Sequence, residues 1–218
     1  NLFYFIMHLK TMAVPDDTFF GSQWHLQNTG QQGNLGVDID ATAAWEIETG
    51  SPTIRISIID EGVDIFHEDL SAHIVAGHDS TSQASPAGVA GNCLADDGHG
   101  TSCAGLAAAE GDNGLGVSGV AWSAQIQPVR VGFGDHWTES SWIIDALTWA
   151  IDNGADILSN SWGGGAPSTA EQNTVQYGLD VGRGGLGCIL LFASGNDDGD
   201  IVFPAAYPQT IAVGATSP

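Results

Sequence analysis

The chain has 218 residues, of which 26 are acidic and only 4 are Lys or Arg, so its formal net charge is 4 − 26 = −22. This balance excludes unaided binding to nucleic acid or to an anionic membrane, because both need clusters of basic side chains. Hydrophobic types make up 43 % of the residues, which excludes a disordered chain. The acidity indicates bound cations, a cationic partner or a saline setting, or an adaptation for solubility alone.

The chain divides into two predicted parts. Residues 1–36 are interpreted as an amino-terminal extension and arm, since the stretch 13–36 is rich in Gly, Gln, Asn and Pro and predicts irregular structure. Residues 37–218 are interpreted as one domain, which we expect to be monomeric. No apolar run reaches the roughly 20 residues of a membrane span, and the apolar start lacks the basic flank of a signal peptide.

Predicted strands and helices alternate along this domain. Short β-branched runs predict buried strands, and longer segments with apolar residues at helical spacing predict helices. The predicted strands are 55–59, 125–131, 155–158, 187–193 and 210–213, and the predicted helices are 100–109, 140–153 and 170–181. This alternation predicts an α/β fold, a mainly parallel sheet with helices on both faces. Functional groups of such sheets gather at the carboxyl ends of the strands.

Three polar side chains lie at such positions. Asp60 follows the first predicted strand, His99 precedes the first helix, and Asn196 follows the strand 187–193, each within two residues of a glycine. In one cleft, a carboxylate can orient an imidazole and stabilise its protonated form, and an amide can donate to an oxyanion. Each residue by itself is equally typical of a helix cap, a solvated loop or a turn.

Four motifs together resemble those of the subtilisin-like serine proteases, in the order that family uses. They are Ile-Ile-Asp-Glu-Gly-Val at 58–63, His-Gly-Thr-Ser-Cys-Ala-Gly at 99–105, Ser-Asn-Ser-Trp-Gly at 159–163 and Ala-Ser-Gly-Asn at 193–196. The resemblance implies a subtilisin-like fold and a serine endopeptidase with Asp60 and His99 as catalytic residues and Asn196 in the oxyanion hole. It also implies that a polypeptide substrate contacts Ser161, Trp162, Gly163, Gly164, Ser194 and Gly195.

Other details resemble the kexin and furin branch of the family. Gln-Trp-His-Leu at 23–26 and Gly-Arg-Gly-Gly-Leu-Gly at 182–187 are similar to segments of that branch. The segment 164–166 is Gly-Gly-Ala, where that branch carries acidic residues for a basic P1 side chain, so dibasic specificity is not expected. Glu61 and Asp96 match acidic positions of its S2 pocket, which makes a mild preference for a basic P2 residue a hypothesis.

The resemblance further implies a structural calcium site. It places the side chains of Asp17, Asp69 and Asn113 and the backbone carbonyls of Glu110, Leu115 and Val117 around the ion. Carboxylate and carbonyl oxygens are the ligands that Ca²⁺ prefers, and such a site would tie the arm to the domain. Acidic surface loops are also common without any ion. The run Asn-Asp-Asp-Gly-Asp at 196–200 is a weaker candidate for a second cation site.

The cysteines and tryptophans have mostly structural interpretations. Three cysteines are too few for a disulfide scaffold, and no bridge is required. Cys103, four residues after His99, is expected to be a buried thiol beneath it rather than a nucleophile, and Cys93 and Cys188 are assigned no role. The tryptophans expected to pack in the core or against helices are Trp45, Trp122, Trp137, Trp142 and Trp149.

No serine in the chain fits the family's nucleophile motif, Gly-Thr-Ser-x-Ala-x-Pro. The terminal residues 214–218 contain Gly, Thr and Ser but do not form that motif, and Ser217 is not nominated. Three interpretations stay open: a fragment of an active protease, which we favour, one part of a split enzyme, or an inactive peptide-binding homologue. If the chain is a fragment of an active protease, its catalytic domain is incomplete at the carboxyl end. We also expect secretion into a saline or calcium-containing medium.

Overall fold

The computed structural model describes residues 13–134 and 138–217. Four α-helices and six β-strands are found in these ranges, together with short 3₁₀ turns at Phe20–Ser22 and Pro86–Gly88. In chain order the elements are α1 (Ala41–Trp45), β1 (Arg55–Asp60), β2 (His78–Asp79), α2 (His99–Ala108), β3 (Gln125–Arg130), α3 (Ser140–Asp152), β4 (Ile157–Asn160), α4 (Thr169–Gly185), β5 (Ile189–Ala193) and β6 (Ile211–Val213).

The six strands form one sheet in the order β2-β3-β1-β4-β5-β6. All five pairings between neighbouring strands are parallel, which confirms the predicted α/β class. β1 lies inside the sheet and pairs in register with β3, so that Asp60 is opposite Arg130. The carboxyl ends of the strands therefore meet at one edge, where the polar side chains singled out in the sequence are found.

Helices cover both faces of this sheet. Successive side chains of a strand point to opposite faces, and in β1 Ile59 joins the core cluster beneath α3 and α4, whereas Ile58 joins the cluster beneath α2. The buried residues of α2 are all Gly or Ala. Without larger side chains between them, the helix and the sheet lie close together, which brings the start of α2 to the end of β1.

A smaller cluster connects the arm to this domain. Phe20 and Leu26 of the arm are buried with Trp45, whose ring centroid lies 4.6 Å from that of Trp122. Trp149 stacks on His78 at 4.8 Å, so these tryptophans pack as expected, and Trp142 joins the same core as α3 and α4. Trp137 lies outside the described residues.

The structure corrects some predicted boundaries. The helix predicted at 100–109 is His99–Ala108, which makes the histidine its first residue. The helix predicted at 170–181 continues to Gly185 through non-helical backbone at 182–184. All three cysteines are free thiols. None of the helices in the described ranges is both long and apolar enough to cross a bilayer.

Candidate active site

An aspartate and a histidine are paired where β1 ends and α2 begins. Nδ1 of His99 lies 2.8 Å and 3.0 Å from the two carboxylate oxygens of Asp60. Asp60 is 5 % exposed, whereas 56 % of the His99 side chain is exposed. The buried carboxylate therefore holds one ring nitrogen and leaves the other side of the imidazole open to solvent, which is the arrangement that a general base requires.

Two glycines make this approach sterically feasible. A Cβ on Gly100 would lie 2.2 Å from the carbonyl oxygen of Gly62 and 2.9 Å from Cβ of Asp60. Gly62 itself has a φ of +96°, and its Cβ would lie 2.7 Å from the carbonyl oxygen of Asn92. Any side chain at either position would force the strand end and the helix start apart.

Glu61 connects the two partners through the backbone. Its carboxylate accepts a hydrogen bond from the backbone N–H of His99 at 2.7 Å, and its own N–H donates to Oδ1 of Asp60 at 2.9 Å. Burial raises the pKa of Glu61, while the hydrogen bond from His99 lowers it. The side-chain hydrogen bond with Asp60 raises the pKa of His99 above 6.5, against burial, and the charges of Asp60 and Glu61 act in the same direction.

Cys103 lies one helical turn beyond the histidine. Its Sγ is 4.0 Å from Nδ1 of His99, and the residue is half-buried. Burial raises the pKa of the Cys103 thiol, although a hydrogen bond with Ser161 opposes the shift. The thiol is therefore protonated at neutral pH and is a poor nucleophile, which agrees with its expected place beneath the imidazole.

A cleft of about 580 Å³ opens in front of this pair. Its walls come from the carboxyl ends of β3, β4 and β5, at 131–134, at 161–164, and at Ala193 with 195–197. The predicted residues that line it are Asp60, Glu61, His99, Ser161, Trp162, Gly163, Gly164, Gly195 and Asn196. The structure thus brings together, at one edge of the sheet, residues that are up to 136 positions apart in the sequence.

The segment 161–164 is held in place from below. The indole Nε1 of Trp162 donates to the carbonyl oxygen of Ile59 at 2.7 Å, and the backbone N–H of Gly164 donates to the carbonyl oxygen of Phe203 at 2.8 Å. Trp162 also makes an edge-to-face contact with Phe192 at 5.4 Å. Trp162 therefore anchors the wall of the cleft to the core.

Two predicted site residues are absent from the lining of the cleft. Ser194 is absent from the lining of the cleft, and its backbone instead pairs with Val213 of β6 and with Val202. Asp96 is exposed and also lies outside the lining, whereas the adjacent Asp97 is 7 % exposed and accepts a hydrogen bond from Gly134 at 3.1 Å. Which of two consecutive acids points inward is not visible in the sequence.

Sequence reasoning missed the wall after β3. Val131, Gly132, Phe133, Gly134 and Thr138 line the cleft, and the guanidinium of Arg130 lies 5.4 Å from the centre of the Phe133 ring. The signal was present, because this segment follows a predicted strand in the same way as Asp60 and Asn196 do. The described part of this segment carries no ionisable or amide side chain, so the segment was not predicted to belong to the site.

The residues of the expected calcium site also converge. Asp17 and Asp69 are 5 % and 2 % exposed. The carboxylate of Asp17 accepts hydrogen bonds from the backbone N–H groups of Asp112 and Asn113, both at 3.0 Å. That of Asp69 accepts from Nδ2 of Asn113 and from the N–H of Val117, both at 2.9 Å. The loop at 110–117 therefore wraps around two carboxylates that come from distant parts of the chain.

This loop fits a hard cation. Two buried negative charges need a compensating charge, and neither carboxylate forms an ion pair with a basic side chain of the described residues. The loop is also tight, since a Cβ on Gly116 would lie 2.2 Å from Oδ2 of Asp69. The run at 196–200, by contrast, is exposed throughout.

Comparison with known proteins shows which family the chain resembles. Residues 51–218 match the family model described as "Subtilase family". The chain is 35 % identical to the calcium-dependent protease of Trichormus variabilis, over 90 % of this chain and 31 % of that protein. It is also 35 % identical to thermitase of Thermoactinomyces vulgaris, over 93 % of this chain and 66 % of that protein. The chain thus spans from about a third to two thirds of these relatives.

A solved structure has the same fold. The chain superposes on a protease from Pseudoalteromonas arctica PAMC 21717 with a TM-score of 0.74 and 28 % sequence identity. The alignment covers 91 % of this chain and 64 % of that protease. The parallel sheet with its helices therefore belongs to a fold that this protease also has.

Proposed function

Because the chain belongs to the subtilase family, we propose that it carries the general base and the oxyanion donor of a serine endopeptidase. The observation that carries this proposal is the buried Asp60 carboxylate within 3.0 Å of Nδ1 of His99 at the floor of an open cleft. A module that only binds peptides has no need for a base oriented in this way. The inactive peptide-binding homologue is the alternative that the experiments below separate.

In the proposed reaction, His99 Nε2 takes the proton of a serine hydroxyl as its oxygen attacks the scissile carbonyl carbon. Asp60 accepts the hydrogen bond from Nδ1–H and stabilises the imidazolium that forms. The imidazolium then gives the proton to the leaving amine, the C–N bond breaks, and an acyl-enzyme results. Water hydrolyses the acyl-enzyme by the same proton transfers in reverse order.

The serine is proposed to come from sequence outside these 218 residues. In the described ranges no serine or threonine hydroxyl is hydrogen-bonded to His99. Ser161 lines the same cleft, but its hydroxyl is not among the hydrogen-bond partners of His99. The Asn196 side chain, which is exposed in the cleft, is proposed to donate to the tetrahedral oxyanion.

The substrate is proposed to lie in extended form along 161–164, where its backbone adds a strand to this segment. Two features support this path. The segment follows β4 directly, and a Cβ on Gly163 would lie 2.7 Å from Cγ2 of Val202, so the wall there is backbone rather than side chain. Glu61 lines the cleft and supports the preference for a basic P2 residue. Asp96 lies outside the lining, and it contributes to this preference only when its carboxylate turns toward the substrate.

A serine-directed fluorophosphonate probe tests the activity on the full-length natural protein. We expect labelling. We also expect His99→Ala to reduce the labelling rate by a factor on the order of 10³ or more, because the three residues of a catalytic triad act together. Peptide binding without labelling would instead establish the inactive homologue.

A peptide library cleaved by the same protein tests the preference for a basic P2 residue. The preference is wrong if basic residues are not enriched at P2, or if Glu61→Gln leaves their enrichment unchanged.

We propose that the buried carboxylates of Asp17 and Asp69 hold Ca²⁺ together with the side chain of Asn113 and the backbone carbonyls of Glu110, Leu115 and Val117. The ion supplies positive charge to two buried anions and is structural. Support comes from the convergence of these residues and from relatives named calcium-dependent protease. The site would lock the arm, which is also held by the paired hydrogen bonds of Gln23 with Ser118, both at 2.8 Å.

Calcium titration of the melting temperature tests this site. Ligand at 100 times its Kd stabilises a protein by about 2.7 kcal/mol, which corresponds to roughly 5–11 °C for a chain of this size. We expect Asp17→Asn to abolish the gain. Asp16→Asn, a change at the exposed neighbour, is the matched control and should retain it. A melting temperature that does not respond to Ca²⁺ or to a chelator would contradict the proposal.

We also propose that the protein is secreted. The net charge of −22 and the proposed calcium requirement both suit a saline, calcium-containing medium. Immunodetection in the medium and in the cells of the source organism tests this, and a signal confined to the cells would overturn it.

A further inference from the structure

A second cavity, of about 480 Å³, lies beside the start of α2. We call it the acidic side pocket, and it is lined by Asp64, 86–87, 92–95, 97–98 and Thr101. Among the described residues, its lining and that of the cleft have none in common. The two are adjacent, however, because Gly98 of the pocket directly precedes His99 of the cleft. Oδ1 of Asp97 also accepts a hydrogen bond at 3.1 Å from the N–H of Gly134, which lines the cleft.

The acidic side pocket contains a buried carboxylate oxygen without a partner. Asp97 is only 7 % exposed. Its Oδ1 is bonded to Gly134, whereas its Oδ2 accepts no hydrogen bond from the part of the chain that the structure describes. Buried polar groups are nearly always hydrogen-bonded, and a buried charge is costly unless it is paired. This oxygen therefore indicates that a donor binds in the pocket.

Two negative charges lie at this pocket without a counter-charge. The second is Asp64, whose backbone N–H donates to Oγ1 of Thr101 at 2.8 Å. Neither carboxylate forms an ion pair with a basic side chain in the described ranges. Burial raises the pKa of the Cys93 thiol in the same wall, and the charges of Asp64 and Asp97 act in the same direction. The N-terminus of α2 supplies only about half a positive charge, so the pocket favours a cation.

The remaining walls favour an organic cation over a bare metal ion. An apolar wall at 86–87 and 94–95 completes the lining, and Leu94 in it is 39 % exposed. Basic side chains bury their methylene stems on such surfaces while the charged end reaches a polar partner. The ligand atoms of the two carboxylates and of the Cys93 thiol do not all lie within 4.8 Å of one another. They therefore do not converge on one point as the ligands of a metal ion do.

We propose that the acidic side pocket binds an alkylguanidinium or alkylammonium group, the charged end of an arginine or lysine side chain. The charged end donates to Oδ2 of Asp97 and to the carboxylate of Asp64, and the stem lies along the apolar wall. A polypeptide in the cleft is the source, because only the segment 97–99 leads from one site to the other. The pocket is separate from Glu61, which lines the cleft itself. Its consequence for substrate choice rests on the proposed function, whereas the binding of the cation does not.

Alkylation of Cys93 by iodoacetamide in the full-length natural protein, located by mass spectrometry, measures occupancy because this half-buried thiol lines the pocket. The probe is Nα-acetyl-arginine amide, and its citrulline analogue, which is neutral and similar in shape, is the control. We expect the arginine probe to slow alkylation and the citrulline analogue to bind about tenfold more weakly, as expected for loss of a charge-assisted hydrogen bond. Excess Ca²⁺ is present throughout, and protection that Ca²⁺ abolishes would overturn the proposal.

Asp97→Asn removes one charge but retains an oxygen that accepts from Gly134, so it should keep the fold and weaken the protection by about tenfold. Glu68→Gln, the matched control, removes an equal charge at an exposed residue outside the pocket and should leave the protection unchanged. Each variant is compared by its ratio of alkylation rates with and without probe, since the substitutions also change the reactivity of the free thiol. The proposal is overturned if citrulline protects as well as arginine, or if Asp97→Asn protects as well as Glu68→Gln. Ligand-observed NMR measures the same preference for arginine without any reaction at the thiol, and equal binding of the two probes would also overturn it.

A peptide library cleaved by the same protein identifies the source of the cation. We expect a basic residue to be enriched at a position other than P2, and this enrichment should be lost in Asp97→Asn but retained in Glu61→Gln. Protection of Cys93 by spermidine without any such enrichment would assign the pocket to free polyamines and overturn the polypeptide as its source. If the arginine probe protects Cys93 but the fluorophosphonate does not label the protein, the proposed function fails and the pocket stands.

Discussion

Gly100→Ala is expected to destabilise the protein, although alanine is normally the better helix residue. The new Cβ would lie 2.2 Å from the carbonyl oxygen of Gly62 and 2.9 Å from Cβ of Asp60. Ordinary van der Waals contact begins near 3.4 Å, so the start of α2 and the end of β1 must separate by about 1 Å. Neither neighbour is the flexible tip of a side chain that could simply move away.

The magnitude follows from two opposing terms. Overpacking of this kind costs about 1–3 kcal/mol, and replacing glycine by alanine within a helix gains at most about 1 kcal/mol. With the full helix gain subtracted, the expected loss in the free energy of unfolding is up to about 2 kcal/mol. For a chain of this size, that loss lowers the melting temperature by up to roughly 8 °C.

Gly105→Ala on the same helix is the matched control. It makes the same chemical change at another buried glycine of α2, but the nearest atom to its Cβ is Cγ2 of Val117 at 3.8 Å. We therefore expect a stability equal to the parent or higher by up to about 1 kcal/mol. Urea unfolding followed by circular dichroism measures both variants.

The opposite signs of the two variants make the reasoning refutable. A Gly100→Ala protein as stable as Gly105→Ala would mean that the contact between Gly62 and Gly100 does not hold the strand end against the helix. The separation should also lengthen the contact from His99 to Asp60 and lower the pKa of His99, as measured by proton NMR. An unchanged His99 titration alongside a large loss of stability would confine the effect to packing.

Asp60→Asn should lower the pKa of His99, because the hydrogen bond and charge that raise it are lost. A histidine pKa that is raised in the folded state stabilises the fold at pH values below 6.5, and this contribution is lost as the pH rises through the folded-state pKa. The difference in stability between wild type and variant in urea unfolding should therefore shrink as the pH rises above 6.5, and a constant difference would contradict the coupling. Trp162→Phe should cost about 1–3 kcal/mol, because it leaves the buried Ile59 carbonyl without the indole donor, and a loss below about 0.5 kcal/mol would show that another donor replaces it. Leu147→Ala, at a fully buried position beneath the sheet, should cost about 2–5 kcal/mol by the same measurement, and a smaller cost would indicate that the core collapses around the cavity.

Local patterns predicted the long elements well. Apolar residues at helical spacing located α3, and β-branched runs located β1 and β5, because burial of one helix face or of a whole strand leaves its period in the sequence. The two-residue strand β2 was missed. It exists only because His78 and Asp79 lie beside β3, and a pattern of two residues carries no periodicity.

The catalytic roles of the site residues stay predictions. Asp60, His99 and Asn196 were selected because each stands at an element end at the carboxyl edge of a parallel sheet, and all three line the cleft. Ser194 and Asp96 were placed at the site by their position in motifs, and the structure leaves both outside the lining of the cleft. Adjacent residues of a loop differ in direction according to the backbone around them, which no local pattern records.

The sequence by itself determined that this chain forms a parallel sheet between two layers of helices, and at which edge its polar side chains gather. It did so because strand and helix periods and the glycines at turns are properties of neighbouring residues. Only the tertiary structure decided that Asp60 and His99, 39 positions apart, meet at 2.8 Å, and that Sγ of Cys103 lies 4.0 Å from the same ring nitrogen of His99. Such distances depend on how closely α2 packs on β1, and that packing depends on contacts between segments that the chain order keeps apart.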